Sequence, residues 1–271
     1  MSIVAPPERG VKERSVRVLA YHRVEPFGDL AWNRVSPDRF EKQMELLREE
    51  GLRGVPLREL LEGEGRGDVA ITFDDALASA VRHALPILRR FGFRATIFAP
   101  TAWVGRRNEW DTRLVGRAVR HASWEELSGA AAEGWEVGSH GHTHRDLTRL
   151  AGEGELRREL ETSARLIAER IGRAPVTIAY PFGRTDDRVA RAAADSGFSW
   201  GCLSYPEGEG GGPWRIGRVG VRLFDGDAEF LAKVKGGPLY PLQVAKDRIA
   251  HFCSLGTPRI LHRIRKVEAP C

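Results

Sequence analysis

The chain has 271 residues, 42% hydrophobic and 29% charged, which describes a globular protein with enough apolar material for a real core. Its net charge of +5 comes from 42 Lys and Arg, only six of them Lys, scattered among acids as in "RELLEGEGRGD"; that mixture argues against a nucleic-acid footprint. No apolar run approaches the roughly 20 residues that cross a bilayer, and Cys202, Cys253 and Cys271, odd in number with no CxxC pair, exclude a disulfide framework or a thiolate zinc site.

Residues 1–14 are polar with two prolines and read as a leader. The opening "MSIVAPPERGVKERSVRVLAYHRV" has no basic stretch followed by an apolar one, so as written it carries no secretory signal. The expectation is a cytoplasmic protein, or one associated with the cell envelope if the sequence is a piece of a longer chain. "SVRVLAYH", Ser15 to His22, reads as a buried strand. "SPDRFEKQMELLREEG" follows as a helix, with Ser36 at the cap, Pro37 in the first turn, Gly51 at the end and Phe40, Met44 and Leu47 on one face. "VAITF" is a strand, "ASAVRHALPILRRFG" a helix with a kink at Pro86, and "RATIFA" a strand. "SWEELSGAAAEG" has the capping-box pattern, Ser123 with Glu126 three residues later. "WEVGSH" is a strand, "GEGELRRELETSARLIAERIG" a long helix, "VTIAY" a strand, "DDRVARAAADSG" a helix, "FSWGCL" a strand and "RIGRVGV" the last strand. The glycine-rich "PEGEGGGP" between the last two reads as a loop within the domain.

Apolar runs alternating with helices imply parallel βαβ units. About seven of them in residues 15–235 suit a single α/β domain, a distorted (β/α)7-type barrel with mostly parallel strands, better than two separate domains. Residues 236–271 break the rhythm and form a C-terminal extension of unassigned role.

In such folds reactive residues gather at the carboxyl ends of strands. That puts His22, the pair Asp74–Asp75, "GSHGHTH" (Gly138 to His144) and "YPFG" (Tyr180 to Gly183) on one rim, with four of the eight histidines. Two adjacent carboxylates at the end of an apolar strand cost desolvation and repel each other unless cations or hydrogen bonds compensate. The plain alternative is a strand ending at the surface, with Asp75 capping the next helix. His140 and His144 are the candidate ligands, because two imidazoles and one carboxylate make an open three-ligand metal site. The glycines around them, and the absence of Glu after His140, argue against a helical metalloprotease motif. His142 is expected to point away. "HRDL" (His144 to Leu147) has no glycine-rich nucleotide loop or "DFG" to accompany it as a kinase motif.

These segments together resemble the polysaccharide deacetylase family, the NodB-homology domain of carbohydrate esterase family 4. "TFDDA" is similar to the family's "TFDDG", "GSHGHTHRDLTRL" to "GSHTxxHxxL", and "AYPFGRTDDRVARAAADSGF" to its "YPYG" stretch. "VLAYHRV" and "WRIGRVGV" resemble the opening and closing strands of members with circularly shifted motifs, so the likeness covers residues 16–235. The resemblance implies a hydrolase that removes N-acetyl groups from an amino-sugar polysaccharide or oligosaccharide, its carbohydrate partner. It implies a divalent metal, usually Zn2+, with Co2+, Ni2+ or Fe2+ as alternatives, held by Asp75, His140 and His144. Asp74 would be the general base, the backbone N–H of Phe182 an oxyanion donor, and His22 the general acid, with His262 in "RILHRIR" competing for that last role.

Three departures from the family pattern stand out. Ala76 replaces a glycine, which matters only if the position needs positive φ. Gly141 replaces Ser or Thr, removing a hydroxyl that could orient the loop. The arginine that precedes the "PYG" motif in many members is missing, which predicts a base without its salt bridge. Alternatives from the same sequence are a metal-dependent hydrolase of a small amide or imide, and a silent sugar-binding homologue; a non-haem iron oxygenase would not need the second aspartate. Trp103, Trp110 and Trp214 are candidates to stack on sugar rings, against plain packing.

Overall fold

The computed structural model describes residues 17–26, 33–63, 68–108, 119–206, 212–236 and 238–246. The leader, Trp110, Cys253, Cys271 and His262 lie outside the described residues. Ten strands and seven α-helices follow in chain order: β1 (Val18–Tyr21), β2 (Arg23–Val24), β3 (Arg34–Val35), α1 (Pro37–Glu49), β4 (Arg53–Val55), α2 (Leu57–Glu62), β5 (Asp68–Phe73), α3 (Leu85–Phe91), β6 (Thr96–Ala99), α4 (Trp124–Ala132), β7 (Glu136–Ser139), α5 (Glu153–Ile171), β8 (Thr177–Ala179), α6 (Asp187–Asp195), β9 (Trp200–Cys202), β10 (Val219–Gly220) and α7 (Asp227–Lys235). None of the described helices is long and apolar enough to cross a membrane.

The caps form where the sequence puts them. Ser36 Oγ accepts from the Arg39 N–H at 3.2 Å and starts α1 with Pro37 in its first turn; Ser123 and Glu126 complete the capping box of α4. The kink expected at Pro86 takes the form of a π-helical turn, Ala80–Ala84, leading into α3, because proline has no N–H to continue the α-helical ladder. Sequence reading misses β4, α2, the β2–β3 pair and α7. The first three are too short to show a period, and α7 lies in "DAEFLAKVK", a stretch to which it assigned no element.

The main sheet runs β10-β1-β5-β6-β7-β8-β9, with every pairing parallel and β4 alongside the first half of β5. It curls until one segment spans the gap: Ile216 bridges to Cys202, and Val219 pairs with Leu19. The result is a distorted (β/α)7-type barrel.

Strand alternation then sorts the side chains. On β5, Val69, Ile71 and Phe73 face outward into the core beneath the helices, while Ala70 joins Val18, Phe98, Ala179 and Cys202 inside the barrel. The inward row of β5 therefore reads Ala70, Thr72, Asp74; that of β1 reads Val18, Ala20, His22; that of β7 reads Glu136, Gly138, His140. Gly138 is required by this crowding, since a Cβ there would meet Phe98 at 2.6 Å and Thr177 at 2.7 Å. Parity alone brings three of the expected site residues to the barrel mouth.

Candidate active site

Asp74 continues the inward row of β5 past its end, with its N–H donating to the Tyr21 carbonyl at 2.9 Å. Its carboxylate is held bidentately by Arg218, Nη1 to Oδ1 at 2.6 Å and Nη2 to Oδ2 at 2.7 Å. This corrects the expectation of a base without a salt bridge. The guanidinium arrives from the segment before β10, is wholly buried, and also donates to the Leu203 carbonyl and to Thr72 Oγ1. Burial pushes the Asp74 carboxyl up, but the charge and hydrogen bonds of Arg218, with His140 and His22 nearby, together outweigh it and leave the group below the usual carboxylate range. His22, about one-third exposed, places Nε2 4.0 Å from Asp74 Oδ2.

Asp75 faces the other way, toward two imidazoles. Its Oδ1 lies 3.5 Å from His140 Nε2 and 3.3 Å from His144 Nε2, and the three ligand atoms fall within 4.8 Å of one another. His140 Nδ1 sits 2.7 Å from the Ala179 carbonyl oxygen, so Nδ1 carries the hydrogen and Nε2 turns its lone pair toward Asp75. Burial pushes His140 down to about 4, against the pull of Asp74, so the ring is neutral near pH 7. Burial likewise raises the Asp75 carboxyl, and the His144 and His140 imidazoles overcome this to hold it well below its ordinary value. Asp75 Oδ1 is nevertheless buried without an aligned hydrogen-bond donor. An orphaned carboxylate oxygen opposite an imidazole lone pair is repulsive unless a cation lies between them. The donor set of two nitrogens and one oxygen fits a divalent ion with open coordination positions.

The loop that carries His140 and His144 is clamped from two sides. After β6, the Thr101 and Ala102 N–H groups donate to the carbonyls of Gly141 and His142 at 3.2 and 2.9 Å, and the Trp103 indole donates to that of Thr143. From α5, buried Glu159 accepts from the His142 and Thr143 N–H groups at 3.0 and 2.8 Å. The orientation that a hydroxyl at position 141 could supply thus comes from Glu159, while Gly141 itself adopts φ 74°. His142 turns away as expected, to Thr101 Oγ1 at 2.9 Å.

Among the described residues only Asp75 (φ 63°), Ala76 (44°), His144 (61°) and Phe182 (59°) combine a side chain with positive φ. Such backbone costs about 1–2 kcal/mol for a side chain like that of Ala76 or Phe182 and less for Asp, and all four belong to the expected site or adjoin it, as strained residues tend to. Ala76 is therefore not a harmless replacement for glycine: the position does need positive φ. Phe182 sits in a tight turn, Pro181–Gly183, with its ring 5.0 Å from that of His144.

Of the expected sugar platforms, Trp103 is buried and braces the loop between His140 and His144, and Trp214 packs against the cluster around α5 and α6. Cys202 is buried inside the barrel, its thiol pushed up to about 12 by burial, which leaves it chemically idle. Sequence reading missed Arg218, Glu159 and His121; the last is wholly buried, with Nδ1 2.6 Å from the Asp75 carbonyl oxygen.

Comparison with known proteins agrees with this fold. Residues 62–200 match the family described as polysaccharide deacetylase. The putative polysaccharide deacetylase YxkH of Bacillus subtilis is 25% identical over 201 residues, covering 72% of this chain and 66% of the relative. A poly-β-1,6-N-acetyl-D-glucosamine N-deacetylase of Staphylococcus aureus is 25% identical over 223 residues, covering 73% of this chain and 74% of the relative. Among solved structures, IcaB from Ammonifex degensii superposes with a TM-score of 0.66 at 26% identity, over 79% of this chain and 93% of the other. The Streptococcus pyogenes deacetylase PplD, with a TM-score of 0.69 at 19% identity over 81% and 98%, shares the fold.

Proposed function

The chain belongs to the polysaccharide deacetylase family, and we propose that it is a metal-dependent hydrolase that removes N-acetyl groups from an amino-sugar polysaccharide or oligosaccharide. The observation that carries this reading is the juxtaposition of an arginine-held carboxylate, Asp74, with the Asp75–His140–His144 cluster at one barrel mouth. Asp75, His140 and His144 would hold a divalent ion, and their donor set suits zinc. Such an ion supplies Lewis acidity, acidifying a bound water and polarising an acyl oxygen.

The chain's own groups supply the rest. Asp74, kept ionised by Arg218, takes a proton from the attacking water at its carboxylate. The Phe182 N–H donates to the oxygen that gains charge as the carbonyl carbon becomes tetrahedral, a contact worth about 2.7–4 kcal/mol where measured in other enzymes. His22 delivers a proton from Nε2 to the amide nitrogen as the C–N bond breaks, yielding acetate and a free amino sugar; such proton transfer contributes about 10²–10⁴-fold. The name of the staphylococcal relatives makes β-1,6-linked N-acetylglucosamine the first polymer to test.

The test uses protein stripped by chelation and reloaded with Zn2+ or Co2+, offered β-1,6- and β-1,4-linked N-acetylglucosamine oligomers. Acetate and free amine should appear together, and only with metal. Undiminished release by Asp75→Ala would refute the ligand assignment. Turnover of a small N-acyl amide but of no oligomer would refute the polymer.

A further inference from the structure

The turn that carries Asp75 is held by a neighbouring strand-like edge, residues 120–122. The Ala122 N–H donates to the Ala76 carbonyl at 2.7 Å and the Ala78 N–H to the Arg120 carbonyl at 2.8 Å, while Leu77 and His121 form an antiparallel bridge. Those contacts fix Ala76 and the residues after it. The carbonyl of Asp75 is left to a side chain, His121, whose Nδ1 lies 2.6 Å away. A carbonyl oxygen only accepts, so this nitrogen carries the hydrogen.

His121 is wholly buried, with its ring 6.4 Å from that of Trp103. Trp103 in turn donates its indole N–H to the Thr143 carbonyl, one residue before His144. One buried pair of rings therefore touches both peptide segments that carry the cluster: His121 the Asp75 segment, Trp103 the His144 segment. Asp75 sits at φ 63°, in the left-handed turn that follows β5, so the direction of its carboxylate depends on what holds the peptide.

We propose that His121 is a positioning residue for the metal site, fixing the Asp75 peptide through Nδ1–H and so aiming its carboxylate at His140 and His144. The inference rests on the reading of those three residues as ligands. It differs from the usual outer partner of a metal site, which bonds to a ligand's side chain; here the contact is to the ligand's backbone.

A space-filling role and a hydrogen-bonding role rank two variants in opposite orders. His121→Leu keeps most of the volume and loses the donor. His121→Asn loses volume and keeps an N–H near the Nδ1 position. Dissociation constants for Zn2+ and Co2+ are measured by chelator competition, alongside the visible absorption of the cobalt-loaded protein and the thermal midpoint of the metal-free protein. His121→Leu should weaken metal binding by about 10–100-fold, the range seen when outer partners of metal ligands are removed, and should alter the cobalt spectrum; His121→Asn should keep both near wild type. If His121→Leu does not fold, His121→Gln replaces it, since its amide lies one methylene too far out, and it should bind worse than His121→Asn. Wild-type affinity and spectrum in His121→Leu, or tighter binding in Leu or Gln than in Asn, would overturn the proposal while leaving the ligand assignment intact. A wild-type protein that binds neither ion would overturn the ligand assignment itself.

Discussion

Asp74 and Asp75 are adjacent and both buried, yet the chain treats them differently. Around Asp74 everything is internally satisfied: a buried cation grips both carboxylate oxygens, and that cation is itself satisfied by Thr72 and the Leu203 carbonyl. Around Asp75 the chain supplies strain and unmet demand, with an orphaned oxygen and positive φ at Asp75, Ala76 and His144. A buried charge that has its partner in the fold is structure. One whose oxygen lies opposite the lone pair of neutral His140 is a request for an ion from outside. The turn after β5 separates the two carboxylates: Asp74 ends the inward row and meets Arg218, while the left-handed backbone at Asp75 turns its carboxylate to the imidazoles.

The sharpest break of this contrast is Asp75→Asn, which keeps the shape and removes the charge. Deacetylation should fall to background. The stabilisation that metal gives the wild type, about 2.7 kcal/mol at a concentration 100 times its Kd, should vanish in thermal melts. Asp74→Asn should do the reverse: acetate release drops by about 10²–10⁴-fold, while Zn2+ binding by chelator competition stays near wild type. Loss of binding in both variants would mean that the two carboxylates are not separated in function.

Arg218→Met tests the satisfied half directly. Removing one partner of a buried ion pair strands the other, at a cost of about 3–5 kcal/mol, and denaturant unfolding should show it. The double variant Arg218→Met, Asp74→Leu should recover much of that loss, since an apolar pair of similar volume is often neutral. No recovery would mean that Arg218 is held chiefly by its carbonyl and hydroxyl contacts.

Much of this was legible in the sequence, and the illegible parts have physical causes. The strands, their order and the rim follow from apolar runs alternating with capped helices, and parity carries His22, Asp74 and His140 inward. Arg218 was missed because its partner lies 144 residues away, although an arginine inside an apolar strand needs a carboxylate somewhere. Glu159 sits in the charged stretch "RRELETS" and looks solvated, yet it falls on the buried row of α5 with Leu156, Leu160, Ser163 and Ile167. A glutamate at a core position of a helical period is the signal that would have found it. His121 gave no signal: a lone histidine before a capping box shows its role only through a backbone carbonyl brought from 46 residues away. The positive φ at Ala76 was equally invisible, because nothing in alanine itself asks for it.

That strain gives the smallest and most specific effect. Ala76→Gly relieves about 1–2 kcal/mol of left-handed backbone. It gives up about 0.8 kcal/mol for a buried methyl and about 0.5–1 kcal/mol for the freer unfolded chain. The terms nearly cancel, so the thermal midpoint should barely move. Ala80 is equally buried in the same apolar cluster, at the start of the π-helical turn and without positive φ. Ala80→Gly suffers the same two losses with no relief and should cost about 1.5 kcal/mol, roughly 3–6 °C in a domain of this size. The gap between the two variants measures the strain stored beside Asp75. Equal losses at both positions would show that the turn is relaxed, and the left-handed residues of the cluster would then need no holding by residues 120–122.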